Sequence, residues 1–188
     1  SDVHAMVGRG YISAPVFGRP DAAAAGKLFI VAAGESAAIE RCQPAFDVMG
    51  QRTFVVDTDA VAANIVKIIG NFMIASVIET LSEGFALSRK YDIDPKLLLE
   101  LLTSTLFSAP VYKNYGAIIV DERYEPAGFK LNLGLKDISL ALEAADAKDV
   151  PMPVASVIRD QFLAGIERGY QDLDWGALGR VSADDAGL

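Results

Sequence analysis

Lys67 and Asn71 stand four residues apart in a run whose other members, Ile65, Val66, Ile68, Ile69, Phe72 and Met73, are apolar. If the run is helical, both side chains leave one face. Asn64 and Glu83 fall near the same stripe. A lysine in such surroundings either stretches its stem to water or lines a polar cavity. In a cavity, desolvation would favour the neutral amine and suit it to proton transfer near neutral pH. Asn71 could then hold the ammonium or a substrate oxygen. Spacing alone leaves a snorkelling surface lysine as the competing reading.

Two other clusters carry polar chemistry. Pro126-Ala127-Gly128-Phe129 precedes Leu135-Lys136-Asp137-Ile138, which puts a charged pair on a helix that is otherwise apolar on one side. Taken bare, it is a solvated charge pair. Ser13-Ala14-Pro15-Val16-Phe17-Gly18-Arg19-Pro20 reads as a strand that ends in a glycine turn followed by a guanidinium. Backbone N–H groups and Arg19 there would suit a carboxylate. A plain strand-to-loop turn fits the spacing equally.

Other chemistries are excluded. One cysteine, Cys42, allows no internal disulfide, and one histidine, His4, allows neither a zinc site nor a convincing Ser-His-Asp triad. No metal is expected. Gly8-Arg9-Gly10 opens a G-x-G pattern, but Ser13 stands where a third glycine is needed and a β-type run follows.

The elements that must position these groups change character near Asp59. Before it, runs at 11–16, 27–32 and 52–57 read as strands, and 36–49 reads as a helix (Ile39, Cys42, Phe46, Met49) stopped by Gly50 as C-cap. That is a β-β-α-β unit. From Ala60 the chain reads as helix: 60–91 as one rod of about 48 Å at 1.5 Å per residue, then helices from Asp94-Pro95, from 107–111 towards Val120, at 130–147 and at 155–168. Gly70 and Gly84 weaken the rod, each by roughly 1 kcal/mol relative to Ala.

Composition agrees with a packed chain. Of 188 residues, 52% are hydrophobic and 22% charged, enough to bury a core. A net charge of −8 repels phosphate backbones, so nucleic acid is not an expected partner. Residues 1–10 lack the apolar core of a signal peptide. The apolar stretch 60–78 contains Asn64, Lys67 and Asn71, which argue against a lipid-exposed span. The expected location is the cytoplasm, with no membrane partner.

Together the motifs resemble the β-hydroxyacid dehydrogenase family, which includes 3-hydroxyisobutyrate dehydrogenases, tartronate semialdehyde reductases and plant glyoxylate reductases and is 6-phosphogluconate dehydrogenase-like. The family's Asp-Ala-Pro-Val-Ser-Gly-Gly and Ala-x-x-Gly-x-Leu are similar to residues 13–18 and 23–28. Its Lys-x-x-x-Asn matches Lys67 and Asn71, a later glutamate matches Glu83, and its Lys-Asp pair with a preceding aromatic matches Lys136, Asp137 and Phe129. The resemblance implies an NAD(P)-dependent oxidoreductase that interconverts a small hydroxy acid and its semialdehyde or keto form. Lys67 is implied as general acid/base with Asn71 as its catalytic partner. Lys136 is implied at the cofactor, NADP or NAD, and Phe17, Gly18, Arg19, Phe129 and Asp137 at the small-molecule substrate. It also implies a homodimer joined through the helical domain.

The resemblance has departures. The family's Ser-Gly-Gly reads Phe17-Gly18-Arg19, so an aromatic ring replaces the serine hydroxyl, and Arg19 is left as the candidate anion contact. The family's G-x-G-x-x-G turn is not in this sequence, so the chain corresponds to the carboxy-terminal two-thirds of such an enzyme and would be inactive without the remainder. An imine reductase-like enzyme and a non-catalytic helical oligomerisation or scaffold module are the alternatives. Imine reductases usually lack a lysine at the position of Lys67. The expected architecture is an α/β remnant plus an all-α part: residues 1–58 as the end of a Rossmann-type, dinucleotide-binding domain, a long connecting helix, and 59–188 as the helical substrate and dimerisation domain. The active site is expected where the long helix meets the remnant.

Overall fold

The computed structural model describes His4, Met6 and residues 8–188. The chain forms two compact units, Ser1–Gly70 and Asn71–Leu188. The division falls inside one long helix.

The first unit contains a four-stranded sheet. Strands β1 (Ile12–Ser13) and β2 (Val16–Phe17) both pair antiparallel with β3 (Leu28–Gly34). They are one line of strand, interrupted at Ala14-Pro15. The expected single run at 11–16 is therefore broken, because proline has no N–H to give to the ladder. Its carbonyl still accepts from the Val31 N–H at 2.9 Å. A short helix, α1 (Pro20–Ala24), follows β2 and was not foreseen. Helix α2 (Ser36–Met49) crosses to β4 (Gly50–Asp57), which runs parallel to β3. Gly50 ends α2 as expected but not in the left-handed form of a glycine cap: its φ is −142° and its ψ 163°, and it begins β4.

Alternation along β3 builds two faces. Ile30 and Ala32 pack against Ile39 and Phe46 of α2, with Cys42 partly buried beside them. Val31 and Ala33 pack against Ala63, Ala62 and Phe17. Ala62 and Ala63 open the long helix α3 (Val61–Lys90), so its first turn belongs to the sheet's core.

The second unit is helical. The rest of α3 is joined by α4 (Pro95–Ser104), α5 (Pro110–Val120), α6 (Leu131–Asp146) and α7 (Pro153–Glu167). Asp94 caps α4 by accepting from the Lys96 N–H at 2.8 Å. A 3₁₀ turn, Trp175–Ala177, and a last helix, α8 (Leu178–Asp185), complete the order and were not foreseen. Ala75, Ile78, Leu81 and Phe85 of α3 meet Ile119, Leu131, Ile138, Ile158, Phe162 and Leu178 in one core.

By length and composition alone α3 could cross a bilayer, a test that core helices of water-soluble proteins also pass. Its hydroxyls are satisfied inside the helix. Ser76 donates to the Phe72 carbonyl, Thr80 to that of Ser76 and Ser82 to that of Ile78, while Ser88 reaches the Phe85 carbonyl.

Candidate active site

Helix α3 presents Lys67 to the first unit. Its Nζ lies 4.3 Å from the centre of the Phe17 ring, over its face. The ring's quadrupole attracts the ammonium. Phe17 reaches this place because the backbone turns sharply after it. Gly18 has a φ of +143°, and a Cβ there would stand 2.6 Å from Leu28 Cδ2. The tip of the ring lies against Gly70, where an added Cβ would be 2.4 Å from Phe17 Cζ. Gly70 therefore leaves the space that admits the ring's tip against the helix, one turn from the lysine. Ser13 is buried and donates to Asn64 Oδ1 at 2.9 Å, which ties β1 to the same helix. Arg19 occupies the N-cap position of α1 and is half-buried.

Within the second unit, Asn71 and Asp137 meet. Asn71 Nδ2 donates to Asp137 Oδ2 at 2.6 Å, and both residues are buried. The other carboxylate oxygen of Asp137 takes the Lys136 ammonium at 2.8 Å. The Lys136-Asp137 pair is thus more than a solvated pair on a helix: its acidic member is inside, held by a residue 66 positions away. Phe129 is half-buried beside Trp175, ring centres 4.7 Å apart at 62°.

Glu83 does not join these groups. Sixteen residues after Lys67, it lies about 24 Å further along the helix at 1.5 Å per residue. It lines an open cleft with Lys90, Gln161, Ser182 and Asp185. Nearby, sequence reasoning missed Glu79, which is 4% exposed and has no partner for either carboxylate oxygen. Burial, with Glu83 and Asp185 as like charges, pushes its carboxyl up to about 7. Its place among Ala75, Ile78 and Ser82 on the buried stripe was the available signal. Among the described residues, no group of three or more potential metal ligands exists.

Two family models cover nearly the whole chain: NAD-binding of NADP-dependent 3-hydroxyisobutyrate dehydrogenase over residues 62–182, and NAD binding domain of 6-phosphogluconate dehydrogenase over residues 2–63. The chain belongs to the β-hydroxyacid dehydrogenase family. The cofactor of this family is a nicotinamide dinucleotide, NAD or NADP. Among its members, an uncharacterised oxidoreductase of Bacillus subtilis is 45% identical over 93% of this chain and 61% of its own length. Glyoxylate/succinic semialdehyde reductase 1 of Arabidopsis thaliana is 35% identical over 93% of this chain and 60% of its own. The chain thus spans about three-fifths of the curated relatives it matches. A 3-hydroxyisobutyrate dehydrogenase from Salmonella typhimurium shares the fold, with a TM-score of 0.88 at 24% identity over 96% of this chain and 63% of that one. This likeness supports a Rossmann-type first part and a helical second part.

The described residues offer three strand-to-helix turns, and none suits a pyrophosphate. Gly18-Arg19 leads into a five-residue helix opened by Pro20, which has no N–H. Gly34 leads into α2 with Glu35 at the N-cap, and β4 leads into α3 through Asp57 and Asp59. Carboxylates there repel phosphate.

Proposed function

We propose that this chain is the catalytic and helical part of an NAD(P)-dependent oxidoreductase that interconverts a small hydroxy acid and its semialdehyde or keto form. The observation that carries the reading is the family match across α3, the helix that bears Lys67 and Asn71. Glyoxylate and succinic semialdehyde, named in the Arabidopsis relative, are the first substrates to test.

When bound, the nicotinamide supplies or takes the hydride. Lys67 donates a proton to the substrate oxygen as the carbonyl is reduced and takes it back in the oxidative direction. Such general acid–base help is typically worth about 10²–10⁴-fold. Phe17 confines the Lys67 ammonium on one side, so the proton is presented from a fixed place. Asn71 orients the substrate oxygen. An amide has two N–H donors and one acceptor; Asp137 engages one donor and so fixes how the rest is turned. Lys136 contacts the cofactor. Gly18 and Arg19 are assigned to substrate binding, with Arg19 as the anion contact, and so are Phe129 and Asp137. Residues 1–58 serve as the end of the dinucleotide-binding domain and 59–188 as the substrate and dimerisation domain. Exposed Val61, Ile65, Ile69 and Met73 follow one another at four-residue spacing on α3, an apolar stripe that favours a homodimer.

The test is Lys67→Ala in the complete enzyme. We expect reduction of glyoxylate or succinic semialdehyde by NADPH or NADH to fall at least about 100-fold, with nucleotide affinity nearly unchanged. Turnover within about tenfold of the unaltered enzyme would refute the role. Reduction of a cyclic imine but of no semialdehyde would move the assignment to imine reduction.

A further inference from the structure

Phe129 lies in a stretch, residues 125–129, that is neither helix nor strand. Backbone N–H groups in such a stretch need partners from elsewhere. Asp174 supplies them. Its Oδ2 accepts from the Gly128 N–H at 2.9 Å and the Phe129 N–H at 3.2 Å, and its Oδ1 accepts from the Gly176 N–H at 3.1 Å. Main-chain bonds run on both sides of it. The Asp174 N–H donates to the Tyr124 carbonyl at 2.9 Å, that of Trp175 to Phe129 at 2.8 Å, and that of Leu131 to Leu173 at 2.9 Å. Asp174 is 1% exposed.

A carboxylate is the side chain this place requires. Three N–H donors converge on it from two directions, and an ionised carboxyl accepts on both oxygens. An asparagine offers one oxygen and turns an NH₂ towards donors on the other side. It can keep the Gly128–Phe129 pair or Gly176, not both. Helix α6 begins at Leu131, so the clamp lies directly before the helix that bears Lys136 and Asp137.

We infer that Asp174 is a positioning residue of the substrate pocket, holding the Phe129 backbone so that its ring stands where a substrate meets it. The inference rests on the reading of Phe129 as a substrate contact. Asp174 touches no substrate itself; it acts through Phe129.

Three measurements on the complete enzyme, with glyoxylate and succinic semialdehyde as probes, test it. Asp174→Asn is expected to raise KM by about tenfold, the scale of one lost charge-assisted hydrogen bond, with kcat within about threefold. A structural role alone would lower the amount of active enzyme and leave KM untouched. Phe129→Ala should raise KM similarly, and the double variant no further. If Phe129→Ala leaves KM unchanged, the reading of Phe129 fails and takes the inference with it. If Phe129→Ala raises KM while a folded Asp174→Asn does not, the inference alone fails. Should Asp174→Asn not fold, amide exchange in the unaltered protein decides. Slow exchange at Gly128 and Phe129 that slows further with probe supports the clamp, and exchange at free-peptide rates overturns it.

Discussion

Asn71 gives one of its amide hydrogens to Asp137 at 2.6 Å, across 66 residues of chain and in a place closed to water. A buried donor that loses its acceptor keeps its desolvation cost, about 1–3 kcal/mol. We expect Asp137→Ala to destabilise the helical unit by that amount, read as a lowered denaturation midpoint. A double-mutant cycle with Asn71→Ala should return a coupling of at least about 0.5 kcal/mol; simple additivity would mean that the bond contributes nothing.

Lys136 grips the same carboxylate from the solvent side, its own side chain 60% exposed. Exposed pairs of this kind contribute about 0–1 kcal/mol. Lys136→Ala should therefore leave thermal stability almost unchanged. The KM for NADPH in the complete enzyme is expected to rise, and equal KM values would remove Lys136 from the cofactor.

Gly70 gives an unusual sign. In most helices Gly→Ala gains about 1 kcal/mol. Here the new methyl would strike the Phe17 ring, displacing it from Lys67, and overpacking of this kind costs about 1–3 kcal/mol. Gly70→Ala should destabilise the protein with Phe17 present and stabilise it in a Phe17→Ala background. Denaturant melts of the four proteins would show the crossover.

Glu79 makes stability depend on pH. In the folded chain its carboxyl keeps a proton up to about 7, whereas its ordinary value is 4.5. Unfolding between those values releases a proton. The protonated form's advantage is full below about 4.5 and is lost as pH rises towards 7, at up to roughly 1 kcal/mol per pH unit. Melting temperatures from pH 5 to 8 should fall more steeply in the unaltered protein than in Glu79→Gln, which holds no titrating group at that place.

Much of this was legible from side-chain pattern. The apolar run from Ala60, read as one helix to Tyr91, announced α3, and Asp94-Pro95 announced the start of α4. Lys67 and Asn71 could be singled out because a cation and an amide share one face of an apolar run. What they touch could not. Phe17 and Asp137 lie far off in sequence, and nothing local in either motif names its partner. The break at Pro15 followed from a missing N–H, yet the run around it read as unbroken strand. The helix Leu178–Asp185 was overlooked because it is short and its buried side chains are Leu178, Gly179, Val181 and Ala183, two of them too small to mark a period. Asp174 looked like any acidic residue near a chain end, since two of the N–H groups that it holds lie 45 and 46 positions upstream.

The hydroxyls of α3 suggest how this helix can change over generations. Ser76, Thr80, Ser82 and Ser88 each spend their hydrogen on a carbonyl of their own helix. Exchange among serine, threonine and alanine asks little of a neighbouring element at exposed Thr80 and half-buried Ser76, whereas at buried Ser82 and Ser88 an added methyl must find room in the core. Asn71 is bound to another helix, and Glu79 carries a charge problem that no part of α3 can resolve. Asn71 is tied to Asp137, whereas Glu79, with no partner, can be replaced by itself. One helix therefore holds both positions that answer to themselves and a position that answers to another helix.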